Sequence, residues 1–347
     1  MSEPGRKKRV LTGIKPTGIP HIGNYFGAIE PGLRLAREHE SFLFIADLHG
    51  LTISPGPALL AEETYSVAAT WLALGLDPKT THFYRQSDIP EVTELAWILS
   101  CVTPMGLLQR AHTFKNQRDN KGVAPEDMRL GLFSYPILMA ADILLFDANV
   151  VPVGKDQKQH LEICQEAARK INHIYGQGVL TIPEAQIDER VMTILGLDGR
   201  KMSKSYNNGI PIFSTKKQLK KLIGTIKTDS TAFGEPLSED GETIMNLFEL
   251  FASPSDIATL KERYRTGRLD PTGPNSQDNY FGWGHAKSAL VEIMDARFAS
   301  ARETYDQLMA DRAYIDNVLN EGAERVRPIA REVLGRVRHA VGIRRIR

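Results

Sequence analysis

The sequence is poor in cysteine: among 347 residues there are two, Cys101 and Cys164, far apart in the chain. That scarcity excludes a small disulfide-stapled fold and a thiolate zinc cluster, and it points to a reducing compartment. Long hydrophobic runs are also lacking. The greasiest stretch, Leu138 to Phe146, is interrupted by Asp142 and is too short to cross a bilayer. Met1 to Lys8 has no apolar run behind it of signal-peptide form. Nor is there an excess of one charge: the formal net charge is +1, so any nucleic-acid surface has to be a local patch. No internal repeat or low-complexity tract stands out. The expectation is a cytoplasmic protein with no membrane association.

What is present is an ordinary globular composition, 42% hydrophobic and 24% charged, in a chain long enough for two packed domains. In the first half, short apolar segments at Arg9 to Ile14, Phe42 to Ala46, His82 to Arg85 and Val150 to Val153 read as strands. Amphipathic stretches such as Glu62 to Leu74 and Glu91 to Leu99 lie between them. This alternation predicts parallel βαβ units with right-handed crossovers. Asp88-Ile89-Pro90-Glu91 reads as a helix start, with proline in the first turn and acids at the positive end. From about Thr215 the strand signals fade. Lys216 to Ile223, Ile244 to Leu250, Pro254 to Tyr264 and Ala286 to Gly335 read as helices, with Gly267 to Asn279 as the longest loop.

Three segments carry chemistry. The first, Lys15-Pro16-Thr17-Gly18-Ile19-Pro20-His21-Ile22-Gly23-Asn24-Tyr25, follows the first strand and opens a helix. A helix N-terminus offers unpaired N–H groups and partial positive charge to an anion. Gly18 and Gly23 let the backbone approach a nucleotide, while His21 and Asn24 share one face of the first turn. Taken alone, a tight turn capped by polar side chains explains the segment as well. The second, Gly199-Arg200-Lys201-Met202-Ser203-Lys204-Ser205, is a small-residue loop whose lysines could close on a triphosphate, although basic loops are commonly solvated surface. The third is Tyr135 to Leu145, where Tyr135, Met139 and Asp142 share one helical face. A carboxylate among Leu, Met, Ala and Ile requires a partner, which a structural ion pair or cap would also supply.

Taken together, these segments resemble the His-Ile-Gly-His and Lys-Met-Ser-Lys-Ser signatures of class I aminoacyl-tRNA synthetases. The second is present letter for letter, about 180 residues after the first, and the first has Asn24 in place of its last histidine. The pocket segment resembles that of the bacterial tryptophanyl-tRNA synthetase family. The resemblance extends through Ile45 to His49 and Val153 to Gln157, and weakly to the end of the chain.

It implies a Rossmann-like, doubly wound parallel sheet in an α/β catalytic domain over 1–212. Dimer-interface helices would be inserted at about 88–145. A helical tRNA anticodon-binding domain would follow over 213–347, its last helix a candidate to pack back on the catalytic domain. His21, Asn24, Lys201 and Lys204 would be catalytic. ATP would be held by Lys15, Pro16, Thr17, Gly23, Asn24, Gly154, Lys155, Asp156, Val191, Lys201, Met202, Ser203, Lys204 and Ser205. Tryptophan would be held by Asp142, Met139, Tyr135, His49 and Gln157. Lys115 and Arg118 are equal candidates for a further phosphate contact. Magnesium would travel with ATP, with no protein-held metal cage. The implied partners are L-tryptophan, ATP, tRNA(Trp) and a second copy of the chain.

Two residues depart from the family pattern. Lys15 stands where glutamine is common and Lys155 where glutamate is common, and both make the nucleotide site more positive. The alternative readings are a tyrosyl-tRNA synthetase of the same class, a nucleotidyltransferase of the same superfamily and a non-catalytic RNA-binding paralogue. An apolar Met139 beside acceptor-only Asp142 suits a donor-only indole.

One further feature is the tail. Arg325, Arg327, Arg331, Arg336, Arg338, Arg344, Arg345 and Arg347 face a single acid, Glu332. This concentration reads equally as a phosphate-binding patch or as a solvated helix end.

Overall fold

The computed structural model describes residues 7–53, 56–120, 122–152, 154, 158–186, 194–203, 206–238 and 243–343. The chain divides into two compact units. The first comprises Met1–Gly18, Ile29–Val191 and Leu308–Arg347, and the second Ile19–Ala28 and Met192–Gln307.

The first unit is built on five parallel strands: β1 (Arg9–Ile14), β2 (Glu40–Ile45), β3 (His82–Arg85), β4 (Val150–Pro152) and β5 (Glu184–Gln186). Their spatial order is β3-β2-β1-β4-β5. This is the doubly wound order, in which connections leave in opposite directions from β1 and β4 and open a crevice at the carboxyl ends of those two strands. β2 is buried from Ser41 to Ile45, as a central parallel strand covered on both faces must be. β5 is not among the strands read from the sequence. It is a three-residue edge strand, Glu-Ala-Gln, exposed throughout, so it has neither an apolar run nor an alternation to betray it.

The α-helices, in chain order, are α1 (Ile22–Asn24), α2 (Glu30–Glu38), α3 (Asp47–Gly50), α4 (Pro57–Ala73), α5 (Glu91–Val102), α6 (Met105–Gln109), α7 (His112–Lys115), α8 (Leu130–Leu144), α9 (Lys158–Tyr175), α10 (Lys216–Gly224), α11 (Thr243–Glu249), α12 (Pro254–Thr266), α13 (Trp283–Ala310) and α14 (Arg312–Ala340). The stretch Ala286 to Gly335, read from sequence as continuous helix, is two helices. Asp311 ends the first and caps the second, its carboxylate accepting from Tyr314 N at 3.1 Å. Among the described residues no helix is long and apolar enough to cross a membrane.

The main core of the first unit joins Leu11, Phe42, Phe44 and Tyr84 of the sheet to the apolar faces of α5, α8, α9 and α14. α14 belongs to this unit and packs on β3, α4 and α5. The described arginines of the tail are each paired within this unit. Arg325 donates to the carbonyls of Pro78, Lys79 and Thr81, and Arg327 and Arg331 share Glu91 at 3.2 and 3.0 Å. Arg336 pairs with Asp147 at 2.6 Å and Arg338 with Glu94 at 2.7 Å. Arg344, Arg345 and Arg347 lie outside the described residues.

The close seam of this packing is Gly322, where a Cβ would run into the carbonyl oxygen of Phe83 on β3. Gly322→Ala is therefore expected to lower the unfolding free energy by about 2–3 kcal/mol, because rigid backbone has to move. Urea titration checks this. An unchanged midpoint and slope would show that α14 can shift without cost.

Candidate active site

In the first unit, the polar residues gather at the carboxyl ends of the strands. Lys15 follows β1, His49 lies in α3 just past β2, Gln86 follows β3, and Asp142 arrives from α8. Asp142 is only 2% exposed, and burial pushes its carboxyl above the usual range against the opposing pull of His49 and Gln86. His49 Nε2 lies 2.9 Å from Asp142 Oδ2. Gln86 Nε2 bridges both carboxylate oxygens, at 2.7 Å to Oδ1 and 2.9 Å to Oδ2. Its own Oε1 accepts from His49 N at 3.3 Å. The three residues thus form a closed set, with each donor aimed at an acceptor.

A carboxylate offers about four lone-pair sites. The described partners of Asp142 leave one on Oδ1. Met139 and Tyr135 lie one and two turns before Asp142 on the same face of α8. The Tyr135 hydroxyl meets His160 Nε2 of α9 at 2.5 Å, and its ring stands edge-on to His49 at 6.1 Å. Met139 is half-buried and packs against the core. The sequence reading missed Gln86 and His160. Gln86 could have been found by its position, since it is the first polar side chain after a parallel strand. His160 had no local signal.

On the β1 side, Lys15 Nζ donates to Thr52 Oγ1 at 2.8 Å, and Thr52 in turn donates to His49 O at 2.8 Å. Burial lowers the Lys15 pKa from its ordinary value. Pro16 is buried and Thr17 N donates to Lys15 O at 2.9 Å, which tightens the turn before Gly18. Gly18 N donates to Glu63 of α4. Gly154 follows β4. Lys155, Asp156, Gln157 and Val191 lie outside the described residues. Lys115 and Arg118 are both exposed, and Arg118 is paired with Asp119 at 2.6 Å.

The second unit holds the two signature segments. His21 caps α1, its Nδ1 accepting from Asn24 N at 3.3 Å, while Asn24 Oδ1 accepts from His21 N at 3.0 Å. This reciprocal box uses the two polar side chains to hold each other's backbone. Gly23 N donates to the sulfur of Met202 at 3.2 Å, which ties the first signature to the second. A Cβ at Gly23 would meet the His21 ring at 3.0 Å, so the lack of a side chain there keeps this contact close.

The lysine loop is the returning arm of a hairpin. Met202 N donates to Ile194 O and Gly196 N to Arg200 O, both at 2.7 Å, and the turn is made by Gly199 at φ +77. Buried Asn208 fastens the arm: it accepts from Ser203 N at 2.8 Å and donates to Lys201 O at 3.1 Å and Asp198 Oδ1 at 2.6 Å. Hydrogen bonds from Asn208 and Arg200 hold the Asp198 carboxyl down at about 2. Lys201 is exposed, Met202 is buried and Ser203 is half-buried, whereas Lys204 and Ser205 lie outside the described residues. Among the described residues no group of three or more His, Cys, Asp or Glu is placed to hold a metal ion.

Residues 3–276 match the family model described as tRNA synthetases class I (W and Y). The chain is 46% identical over 345 residues to a tryptophan–tRNA ligase of Neisseria meningitidis, covering 97% of this chain and 98% of that one. It is equally 46% identical to the tryptophan–tRNA ligase of Xanthomonas campestris, covering 97% of this chain and 77% of that longer relative. In structure it is similar to the Campylobacter jejuni tryptophanyl-tRNA synthetase crystallised with ADP and tryptophan. The TM-score is 0.87 at 44% identity, over 96% of this chain and 99% of that one.

The Asp142 cluster yields a pH-dependent expectation. Gln86 stabilises the ionised carboxylate, so Gln86→Leu should raise the Asp142 pKa further and cost about 1–3 kcal/mol of stability. With the folded pKa above the unfolded one, the carboxyl costs stability as pH rises from the ordinary carboxylate range toward the folded value. The variant should therefore lose more at pH 7 than in acid, which urea titrations across pH would show. A loss independent of pH would mean that Gln86 does not act on the carboxylate.

Proposed function

Because this chain belongs to the class I tRNA synthetases of the tryptophan and tyrosine branch, we propose that it is a tryptophan–tRNA ligase. It activates L-tryptophan with magnesium–ATP and transfers it to tRNA(Trp). The tryptophan carboxylate, already ionised, attacks the α-phosphorus and expels pyrophosphate. A ribose hydroxyl of the terminal adenosine of the tRNA then attacks the adenylate. No enzymic nucleophile is required, so catalysis rests on positioning and charge stabilisation.

The observation that carries the choice of substrate is the buried Asp142, held by His49 and Gln86 with one acceptor site left on Oδ1. That arrangement fits a single, donor-only indole N–H. A smaller apolar ring would leave the acceptor unpaired, which a buried site penalises without any editing domain. Met139 and Tyr135 line the ring, and Gln157 serves the α-amino group. Lys15, Pro16, Thr17, Gly23, Asn24, Gly154, Lys155, Asp156 and Val191 serve the nucleotide, together with Met202, Ser203 and Ser205. His21, Asn24, Lys201 and Lys204 act on the phosphates, the lysines chiefly as pyrophosphate departs.

The helical elements of the second unit serve the anticodon. The chain works as a cytoplasmic homodimer through the α5 region, a reading supported by Trp97, which is 71% exposed on α5.

Amino-acid-dependent pyrophosphate exchange with all twenty amino acids tests the reading: tryptophan alone should support rapid exchange. Better exchange with tyrosine would overturn it. Asp142→Ala should cost about 1.5–3 kcal/mol, the value of a charged acceptor to a buried N–H. That corresponds to a roughly 10- to 150-fold loss of kcat/KM for tryptophan. Lys201→Ala should slow adenylate formation far more than it weakens tryptophan binding. Equal losses in pre-steady-state rate and equilibrium binding would count against a transition-state role.

A further inference from the structure

Charge accounting separates the basic residues that are used inside the fold from those that are not. The five described arginines of the tail each donate to a carboxylate or a backbone carbonyl of the first unit. Their charge is thus already shared with acceptors of the first unit, which ties α14 to it. α10, Lys-Lys-Gln-Leu-Lys-Lys-Leu-Ile-Gly, presents the opposite case. It buries Leu219 and Ile223, and Lys216 is paired with Glu292 at 2.6 Å. Lys217, Lys220 and Lys221 are exposed and have no hydrogen-bond or ion-pair partner among the described residues. At helical spacing the three fall within an arc of about 100° on the side away from the buried residues. Lys227 follows just after the helix and is also exposed and unpaired among the described residues.

Helix electrostatics do not account for this placement. Lys220 and Lys221 suit the negative C-terminal end, but Lys217 sits in the first turn, where the macrodipole disfavours a cation and where α10 has no acid. Like charges three and four residues apart repel as well. The face thus costs the helix stability in the absence of a ligand. Its compact ammonium charges match a phosphate backbone, which they neutralise with release of counterions.

We propose that the Lys217–Lys220–Lys221 face of α10, extended by Lys227, is a contact surface for the phosphate backbone of the tRNA. The identity of the polyanion rests on the proposed tRNA ligase function, whereas the surface rests on the charge accounting. Binding here is electrostatic and carries no base specificity.

The test uses the full chain with tRNA(Trp), measuring affinity by anisotropy from about 50 to 300 mM salt, with tryptophan-dependent pyrophosphate exchange in parallel. Lys217→Ala, Lys220→Ala and Lys221→Ala combined should weaken binding by roughly tenfold at about 100 mM salt. The same variant should flatten the log–log salt slope by about 2–3. Exchange without tRNA should be unchanged and thermal stability equal or higher, since repulsion has been removed. Lys217→Arg, Lys220→Arg and Lys221→Arg combined should keep the wild-type slope, and Arg331→Gln should keep it too while lowering thermal stability. A triple alanine variant that retains the full slope and affinity overturns the surface, even if wild-type chain activates tryptophan normally. If wild-type chain fails to activate tryptophan while the triple variant still loses slope, the ligase reading falls and the lysine surface stands as a polyanion contact.

Discussion

The first unit is organised around one constraint: a carboxylate withdrawn from water has to be given donors. Asp142 meets it through His49 and Gln86, and this requirement fixes the ends of β2 and β3 relative to α8. The constraint then propagates. Gln86 follows Arg85, whose guanidinium reaches Asp88, Asp316 and Asn320. Tyr65 of α4 also donates to Asp316, at 2.9 Å. A helix at the far end of the sequence therefore braces the strand whose next residue holds the buried Asp142 carboxylate. This gives the arginine stitching of α14 a purpose inside the fold, since a loosened α14 would release Arg85 and with it the geometry of Gln86.

The second unit uses a different device. Its signature side chains are fixed by backbone hydrogen bonding. His21 and Asn24 spend polar atoms on each other's main chain, and Asn208 does the same for the arm carrying Lys201 and Ser203. Rigid backbone at these points holds the His21–Asn24 turn and the arm carrying Lys201 in defined positions. The contact of Gly23 with Met202 means that the two signatures, distant in sequence, are neighbours within one compact unit. Gly199 to Ser203 are held by the hairpin on one side and by Asn208 on the other.

Much of this was legible in the sequence because its signals were local. Strands β1 to β4 stood out as apolar runs, and the segments of α10 and α12 read as helices, which the structure opens with capping boxes at Thr215 and Ser253. The parallel sheet and the class I family followed from strand–helix alternation and from two motifs that keep their letters. The edge strand β5 was not legible, because a short exposed polar strand exists only through its pairing with β4. The break at Asp311 was hidden inside a long helical pattern. Gln86 was marked only by its place directly after a strand and His160 by nothing local, and the importance of both comes from what lies opposite them in space.

The sequence by itself determined the fold class, most of the order of elements and the membership of the family, because each is written in periodicity or in contiguous motifs. Tertiary structure alone decided how the charges are used. Arginine-rich α14 and lysine-rich α10 look alike as compositions, although only the arginine-rich tail read from sequence as a candidate phosphate surface. The difference between them is whether a carboxylate or a carbonyl stands within hydrogen-bond reach. α14 lies along β3 and α5, where Glu91, Glu94, Asp147 and a turn of free carbonyls absorb its guanidinium groups. α10 presents Lys217, Lys220 and Lys221 outward with no such partner among the described residues. Long-range pairing of charges depends on which elements the chain packs together, and no local pattern encodes it.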